Sequence, residues 1–287
     1  MRKFIVSGFA DEFDSDLKKH VGGFKGLGID HIEVRFINEK NIADLTEEEV
    51  KELKAYLDVN NISVSAVGSP LGKVTLDDDM DEHLEKCERV FKYANILGAK
   101  FIRMFSFYPH KDKEFCEASV KEVYDRLEKM IELSEKYGVV LCHENEHGIY
   151  GETPEKCLEI LEHFGGRLKC VFDMGNFRLD GNDPIKAYEM LKEYIAYFHL
   201  KDGTVDGVIV PPGMGDAKIE EILGMHAKTA SEPFVISMEP HLVDFTGLNA
   251  LVQDATVLEK KISYADSHEA FTDAAHRIFE ILERIEK

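Results

Sequence analysis

A short strand-like run followed by a charged amphipathic stretch recurs eight times along this chain of 287 residues. Each run is rich in β-branched or aromatic residues, and the stretches between the runs carry apolar residues at helical spacing. Alternating strands and helices are typical of parallel strands joined by crossover helices. The eight runs are FIVSGF (4–9), HIEVRF (31–36), SVSAVG (63–68), FIRMFSF (101–107), VVLCHE (139–144), CVFDM (170–174), YFHLK (197–201) and FVISME (234–239).

Eight such units in a chain of this length predict a single α/β domain over residues 1–287, folded as a (β/α)8 TIM barrel. The competing interpretation is an open, doubly wound sheet. No GxGxxG motif follows the first run, which counts against a dinucleotide-binding sheet of that kind.

Several helix ends are indicated by residues with known capping preferences. Thr46 is predicted to cap a helix with an acidic first turn, and Thr153 followed by Pro154 is predicted to start another. Gly98 and Gly138 are predicted to end the two long helices that precede them.

The longest connection follows the last strand-like run, over residues 241–267. Its apolar residues argue against a solvated linker, so we expect it to fold over the barrel mouth or against a second subunit of a homo-oligomer. These apolar residues are Leu248, Leu251, Val252, Val257 and Leu258.

Composition argues against several classes of partner. A formal net charge of -20 repels a phosphate backbone, and no apolar run approaches the roughly 20 residues that span a bilayer. We therefore expect neither nucleic acid nor a membrane as partner. Acidic residues follow the short apolar stretch at the N-terminus, unlike a signal peptide, and the five cysteines are scattered without a CxxC motif. These features predict a cytoplasmic protein with reduced thiols.

The fifth run ends in HENEH, although a strand that enters a core should not finish in groups that are costly to bury. The next three runs also close on an ionisable residue. Because side chains alternate between the two faces of a strand, all four can point into the C-terminal mouth of the barrel, where active sites of this fold lie. The four residues are Glu144, Asp173, His199 and Glu239.

Three carboxylates and one imidazole at one place require a compensating cation. Such an oxygen-rich set with one nitrogen suits Mn²⁺, Mg²⁺, Co²⁺ or Zn²⁺. Alone, a Glu or Asp at a strand end is more typical of a helix N-cap or a surface position than of a metal ligand, and a lone histidine is more typical of a hydrogen-bonded side chain. Their common position on four consecutive strands is what predicts one divalent metal ion.

Other charged residues near the mouth are candidates for contacting substrate. Lys201 lies two residues beyond His199 on the same face, which predicts a contact with a substrate hydroxyl or carbonyl; a salt bridge to Asp202 or Glu239 is the alternative. Arg103 either pairs with Glu12 or Glu33 or holds a substrate oxygen. The candidates for substrate binding, with an ion pair or a surface position as the alternative for each, are Glu12, Arg35, Lys73, Arg103 and Glu146.

Histidines other than His199 are expected to play no direct part in the chemistry. His143 has the opposite parity to Glu144 and should face the helices or the rim. His110, His147 and His241 lie in connections, where solvated or hydrogen-bonded histidines are typical.

The strand-end motifs resemble those of the xylose-isomerase-like TIM barrels, in particular the sugar phosphate isomerases and epimerases, over nearly the whole chain. The stretches FADEF, IEVR and GSPLGK are also similar to members of that family. The motifs are Glu144-Asn145, Asp173-Met174-Gly175-Asn176, His199-Leu200-Lys201-Asp202 and Glu239-Pro240-His241.

The resemblance implies one divalent metal held by Glu144, Asp173, His199 and Glu239. It further implies that Glu144 and Glu239 exchange the α-proton of a substrate through a metal-stabilised enediolate. Asn176 departs from the pattern, since many ketose epimerases of the family have a histidine there. Strands three and four end without the extra histidines of the family's endonucleases, so a trinuclear zinc site is not expected.

The sequence therefore predicts a metal-dependent isomerase or epimerase that acts on a small-molecule sugar or sugar phosphate, with Glu144, Glu239 and Lys201 as catalytic residues. A keto-cyclitol (inosose-type) dehydratase is the alternative within enzymes, because removal of the same α-proton can expel a β-hydroxyl. A non-catalytic sugar-binding protein is the alternative of another class. Such a protein would be expected to have lost a metal ligand, whereas all four candidates are present.

Overall fold

Eight parallel strands form the centre of the molecule in a computed structural model that describes residues 3–244 and 262–287. Hydrogen bonding gives the strand order β1-β8-β7-β6-β5-β4-β3-β2, and a parallel bridge between Phe9 and Glu33 joins β1 to β2. The predicted TIM barrel is confirmed, and the open sheet is excluded. The strands are β1 (Phe4–Gly8), β2 (His31–Val34), β3 (Ser63–Gly68), β4 (Phe101–Met104), β5 (Val140–Glu144), β6 (Lys169–Asp173), β7 (Ile195–Leu200) and β8 (Phe234–Met238).

Helices connect the strands and cover the outside of the barrel. Thr46 and Glu49 form a reciprocal capping box at the start of α2, and Gly98 and Gly138 end α3 and α4 with positive φ, as predicted. Thr153 caps α5 with Pro154 in its first turn. The helices are α1 (Leu17–Gly26), α2 (Glu47–Val59), α3 (Met80–Leu97), α4 (Glu117–Tyr137), α5 (Pro154–His163), α6 (Met174–Leu179), α7 (Pro184–Leu191), α8 (Ile219–Thr229) and α9 (Ser267–Ile285).

The main hydrophobic core lies between the strands and these helices, and a second small apolar cluster lies inside the barrel. This inner cluster contains Ala66, Cys142, Val171 and Tyr197, all fully buried. It forms an apolar layer beneath the polar groups at the strand ends. Because the interior is packed, side chains at the mouth stand on a rigid base.

The connection predicted over residues 241–267 falls mostly outside the described residues. Leu248, Leu251, Val252, Val257 and Leu258 all lie there. None of the helices in residues 3–244 and 262–287 combines the length and the apolarity needed to cross a membrane.

Candidate metal centre

The four predicted residues meet at the C-terminal mouth of the barrel. Glu144 and Asp173 are the last residues of β5 and β6, His199 lies one residue before the end of β7, and Glu239 follows β8 directly. All four are buried, with at most 3% of their surface exposed. One potential ligand atom from each lies within 4.8 Å of the others. The alternation of side chains along the strands therefore places the four residues together at the mouth, as expected.

Each of the three carboxylates has an oxygen atom that accepts no hydrogen bond. Asp173 Oδ1 caps α6 by accepting from Asn176 N (2.8 Å), while its Oδ2 accepts no hydrogen bond, although Lys201 Nζ lies 3.3 Å away. Glu239 Oε1 accepts from Arg35 Nη1 (2.8 Å), while its Oε2 accepts no hydrogen bond, although His199 Nδ1 lies 3.1 Å away. Glu144 Oε2 is likewise without one, although Arg103 Nη1 lies 3.3 Å away.

The His199 imidazole completes this set of ligand atoms. Its Nδ1 lies 2.6 Å from Glu144 Oε1 and 3.1 Å from Glu239 Oε2. Buried acceptors without donors are costly, and a cation among them removes that cost. The residues present therefore fit a divalent metal ion with oxygen ligands and one nitrogen ligand.

The pKa values of the site show that its cationic side chains do not fully offset the carboxylates. Burial raises the pKa of Asp173 to about 7, because Lys201 offsets only part of the desolvation and Glu144 and Glu239 add repulsion. Burial also raises the pKa of Glu12 to about 8, with Arg35 opposing the shift. Two of the buried carboxyl groups thus resist ionisation, which favours an added positive charge beside them.

The polar motifs beside the four residues hold the strand ends in register. The Asn145 side chain donates to the carbonyl oxygen of Asp173 (3.0 Å) and accepts from Asp173 N (3.2 Å). Asn176 Nδ2 donates to the carbonyl oxygen of Asn145 (2.8 Å). Gly175 passes close to Lys201, because a Cβ atom there would lie 2.6 Å from the Lys201 carbonyl oxygen. The sequences EN and DxGN are thus explained by the junction of β5, β6 and β7.

A cavity of about 1130 Å³ opens above the four residues. Lys73, Arg103, Glu146 and Lys201 line it, as expected for residues that contact substrate. Lys73 Nζ donates to Glu146 Oε2 (2.7 Å). Lys201 Nζ lies 3.3 Å from Asp173 Oδ2, so its carboxylate partner is neither Asp202 nor Glu239.

Arg35 and Glu12 are buried behind Glu239 and do not appear among the cavity-lining residues of the described chain. The Arg35 guanidinium pairs with Asp11 (2.9 Å), Glu12 (3.1 Å) and Glu239 (2.8 Å). These contacts hold Glu239 Oε1 and leave its other oxygen directed at the ligand set. In the structure the two residues thus contact a candidate ligand, Glu239, rather than line the cavity.

Two residues that the sequence did not single out as part of the site lie in direct contact with it. His241 adopts φ +50, which brings its Nε2 to 3.0 Å from Glu239 Oε1, and its backbone N–H donates to Glu12 Oε2 (2.8 Å). Glu33 contacts His199 from the opposite side. The signal for His241 was its place in EPH, two residues after a predicted ligand.

The remaining histidines lie away from the four residues. His143 is fully buried and its Nε2 lies 2.9 Å from Ser106 Oγ. His110 and His147 lie at the rim of the cavity, where His110 pairs with Asp77 (2.7 Å) and His147 with Asp180 (3.0 Å).

Comparison with known proteins identifies the family. The xylose isomerase-like TIM barrel family matches residues 24–261, which is more than half of the chain. A 3-dehydroshikimate dehydratase from Bacillus anthracis is 24% identical over 183 residues, which make up 63% of this chain and 62% of that protein. The chain thus matches about three fifths of the length of that relative.

Two solved structures are similar over nearly their whole length. A D-allulose 3-epimerase from Methylomonas sp. has a TM-score of 0.75 at 13% identity, covering 98% of this chain and 99% of that one. The IOLI protein, solved with a binding zinc atom, has a TM-score of 0.74 at 17% identity, covering 98% of both chains. At such identities the likeness establishes the fold alone. The family match, together with the barrel and the four strand-end residues, shows that this chain belongs to the xylose isomerase-like TIM barrel family.

Proposed function

We propose that this protein is a divalent-metal-dependent isomerase or epimerase of sugars or sugar phosphates that transfers the proton on the carbon next to a carbonyl. The observation that carries the proposal is the cluster of Glu144, Asp173, His199 and Glu239 at the base of a cavity, with an oxygen that lacks a hydrogen-bond donor on each carboxylate. A divalent cation held by these four residues would polarise a substrate carbonyl and offset the charge that develops on its oxygen.

Glu144 and Glu239 are the proposed proton-transferring groups. They belong to β5 and β8, three positions apart around the barrel, so they approach a substrate in the cavity from different sides. Burial raises the pKa of Glu239, but Lys201 and His241 outweigh burial and hold it well below its usual range, so the carboxylate is ionised. One carboxylate would remove the α-proton and the other would return a proton to the opposite face.

Lys201 is proposed to orient the substrate. Its ammonium group lies against Asp173 Oδ2 at 3.3 Å and faces the cavity. An ammonium group has three N–H donors, so donors remain for a substrate hydroxyl or carbonyl oxygen. Arg103, Lys73 and Glu146 line the same cavity and are proposed to contact the rest of the substrate.

A dehydratase is the second candidate, favoured by the similarity to the dehydratase from Bacillus anthracis. Its first step is the same removal of an α-proton. The electron pair left on the α-carbon then forms a carbon–carbon double bond as the β-hydroxyl leaves with a proton as water. A keto-cyclitol has the carbonyl and the β-hydroxyl that this step requires.

Proton NMR in D₂O, with metal-loaded protein and a panel of ketoses, aldoses and inososes, tests both candidates. An isomer or epimer that carries solvent deuterium at the α-carbon supports the first proposal, and a product that has lost water supports the second. A sugar that binds tightly but exchanges no proton would overturn both in favour of a non-catalytic binding protein.

The variants Glu144→Gln and Glu239→Gln test the roles of the two carboxylates. Glutamine keeps the shape and one oxygen but cannot act as a base, so we expect turnover to fall by about 10²–10⁴-fold. Metal content is measured in parallel. Near-native turnover in both variants, each with its metal retained, would show that the two residues are ligands only.

A further inference from the structure

Glu33 is a buried carboxylate in the interior of the barrel, on β2 and 1% exposed. Both of its oxygens accept hydrogen bonds from β7. Tyr197 OH donates to Oε1 (2.9 Å), and His199 Nε2 lies 3.0 Å from Oε2. Residues 197 and 199 share a face of β7 because side chains alternate, so one carboxylate receives two donors from one strand.

The contact with Glu33 determines which nitrogen of His199 faces the other ligands. An ionised carboxylate only accepts hydrogen bonds, so the Nε2 atom against it carries a proton. Nδ1 lies 2.6 Å from Glu144 Oε1 and 3.1 Å from Glu239 Oε2, so it is the nitrogen that would offer its lone pair to a metal ion held by these carboxylates.

Apolar packing does not determine which edge of the His199 imidazole faces Glu33, so hydrogen bonding must determine it. The ring meets Phe9 edge-on at 5.1 Å between centroids and Tyr197 at 5.5 Å. Such apolar contacts do not distinguish the two ring nitrogens from the two ring carbons. The carboxylate does distinguish them, because only a ring nitrogen can donate to it.

We propose that Glu33 is a positioning residue that holds the His199 imidazole with Nε2 protonated and Nδ1 directed at the metal. The inference rests on the proposed metal centre. Carboxylates that accept from the second nitrogen of a metal-bound histidine fix its tautomer and raise its basicity, and losing such a partner typically weakens metal binding by about 10–100-fold.

Titration of the purified metal-free protein with Mn²⁺, followed by calorimetry, tests the inference in the wild type and in Glu33→Gln. The glutamine amide can donate to His199 Nε2 and so favours the tautomer whose Nδ1 carries the proton, which blocks the ligand position. We expect the dissociation constant for Mn²⁺ to rise by about 10–100-fold.

Tyr197→Phe is the matched control, because it removes the other hydrogen bond to the same carboxylate and leaves the His199 contact in place. It deprives Glu33 Oε1 of its donor, so the melting temperature should fall, yet the dissociation constant should stay within about threefold of wild type. A general loss of core packing would affect the two variants alike. Only the positioning role separates them.

The outcomes distinguish this inference from the proposed metal centre. If the wild type binds Mn²⁺ and His199→Ala does not, the centre stands, and an unchanged dissociation constant in Glu33→Gln overturns the role of Glu33 alone. If the wild type binds none of Mn²⁺, Mg²⁺, Co²⁺ and Zn²⁺, both proposals fall. Should Glu33→Gln not fold, Glu33→Asp keeps the charge and withdraws the acceptor by one methylene, and it should lose affinity in the same direction.

Discussion

Asp202 organises the loop after β7, and the substitution Asp202→Asn should destabilise the protein strongly. Its carboxylate accepts four backbone hydrogen bonds. Oδ1 accepts from the N–H groups of Gly203 (2.9 Å) and Ala217 (3.1 Å), and Oδ2 accepts from those of Gly213 (2.8 Å) and Gly215 (3.0 Å). The side chain is 2% exposed, so water does not replace it.

The expected loss follows from counting acceptors. Asparagine has one oxygen, so two of the four N–H groups lose their acceptor and meet an amide N–H₂ instead. A hydrogen bond to a charged group is worth about 1.5–3 kcal/mol, which gives a loss of about 3–6 kcal/mol. At about 2.1 cal/mol/K per residue, the melting temperature of a chain of this length should fall by about 5–10 °C.

Urea denaturation followed by far-UV circular dichroism measures this loss, since the chain has no tryptophan to report by fluorescence. Asp216→Asn is the control, because Asp216 lies in the same loop and accepts a single exposed bond from Val205 N (3.1 Å). We expect less than about 1 kcal/mol there. An Asp202→Asn variant as stable as that control would refute the assignment of the loop's stability to this carboxylate.

Three further predictions concern the metal, the pH dependence and the substrate. Removing metal with EDTA should lower the melting temperature by about 5 °C. A bound metal ion whose free concentration is a few hundred times its dissociation constant stabilises the folded state by about 3–4 kcal/mol. The variant His199→Ala should show no such shift. Burial, aided by Lys86 and Arg126, lowers the pKa of His83 from 6.5 to about 4. Below pH 6.5 the unfolded chain therefore binds a proton that native His83 does not, and about 3 kcal/mol of stability should be lost between pH 6.5 and 4. Urea denaturation over this range should show that the free energy of unfolding falls by this amount more in the wild type than in His83→Gln. A difference between the two proteins that does not change with pH would contradict the prediction. In the described chain, eight carboxylates and five lysine or arginine side chains line the cavity. This excess of negative charge should repel a phosphate group, so we expect an uncharged sugar to have at least about a tenfold higher kcat/KM than the phosphorylated form of the same sugar. An equal or higher kcat/KM for the phosphorylated sugar would contradict this prediction.

The barrel and the convergence of the four candidate ligands could be predicted because both depend on local periodicity. Eight strand-like runs separated by helical stretches leave few topologies. Within each run, alternation fixes which face a residue takes, so Glu144, Asp173 and His199 follow from their own strands. The helix boundaries at Thr46 and Gly98 follow from equally local capping preferences.

The partners of the charged residues could not be predicted, because they depend on contacts between distant parts of the chain. A salt bridge from Lys201 to Asp202 or Glu239 was the alternative to a substrate contact, but Asp202 accepts hydrogen bonds from backbone N–H groups up to 15 residues further along, and Lys201 lies against Asp173. Glu33 meets His199 166 positions away. His241 reaches Glu239 through a left-handed backbone conformation that a contact with Glu12 supports.

Stability alone does not account for the buried charges at the mouth. Of the seven carboxylates and four lysine or arginine side chains that are buried in the described chain, six carboxylates and three cations belong to the cluster at the mouth. Replacing buried ion pairs by apolar residues is often neutral or stabilising. The three cations leave three negative charges without compensation. A divalent metal held at this site would offset two of them, and burial, which raises the pKa of Glu12 to about 8, favours a proton on that carboxyl group. The proposed metal would therefore supply positive charge that the lysine and arginine side chains do not. The carboxylates concerned are Asp11, Glu12, Glu33, Glu144, Asp173 and Glu239, and the cations are Arg35, Arg103 and Lys201.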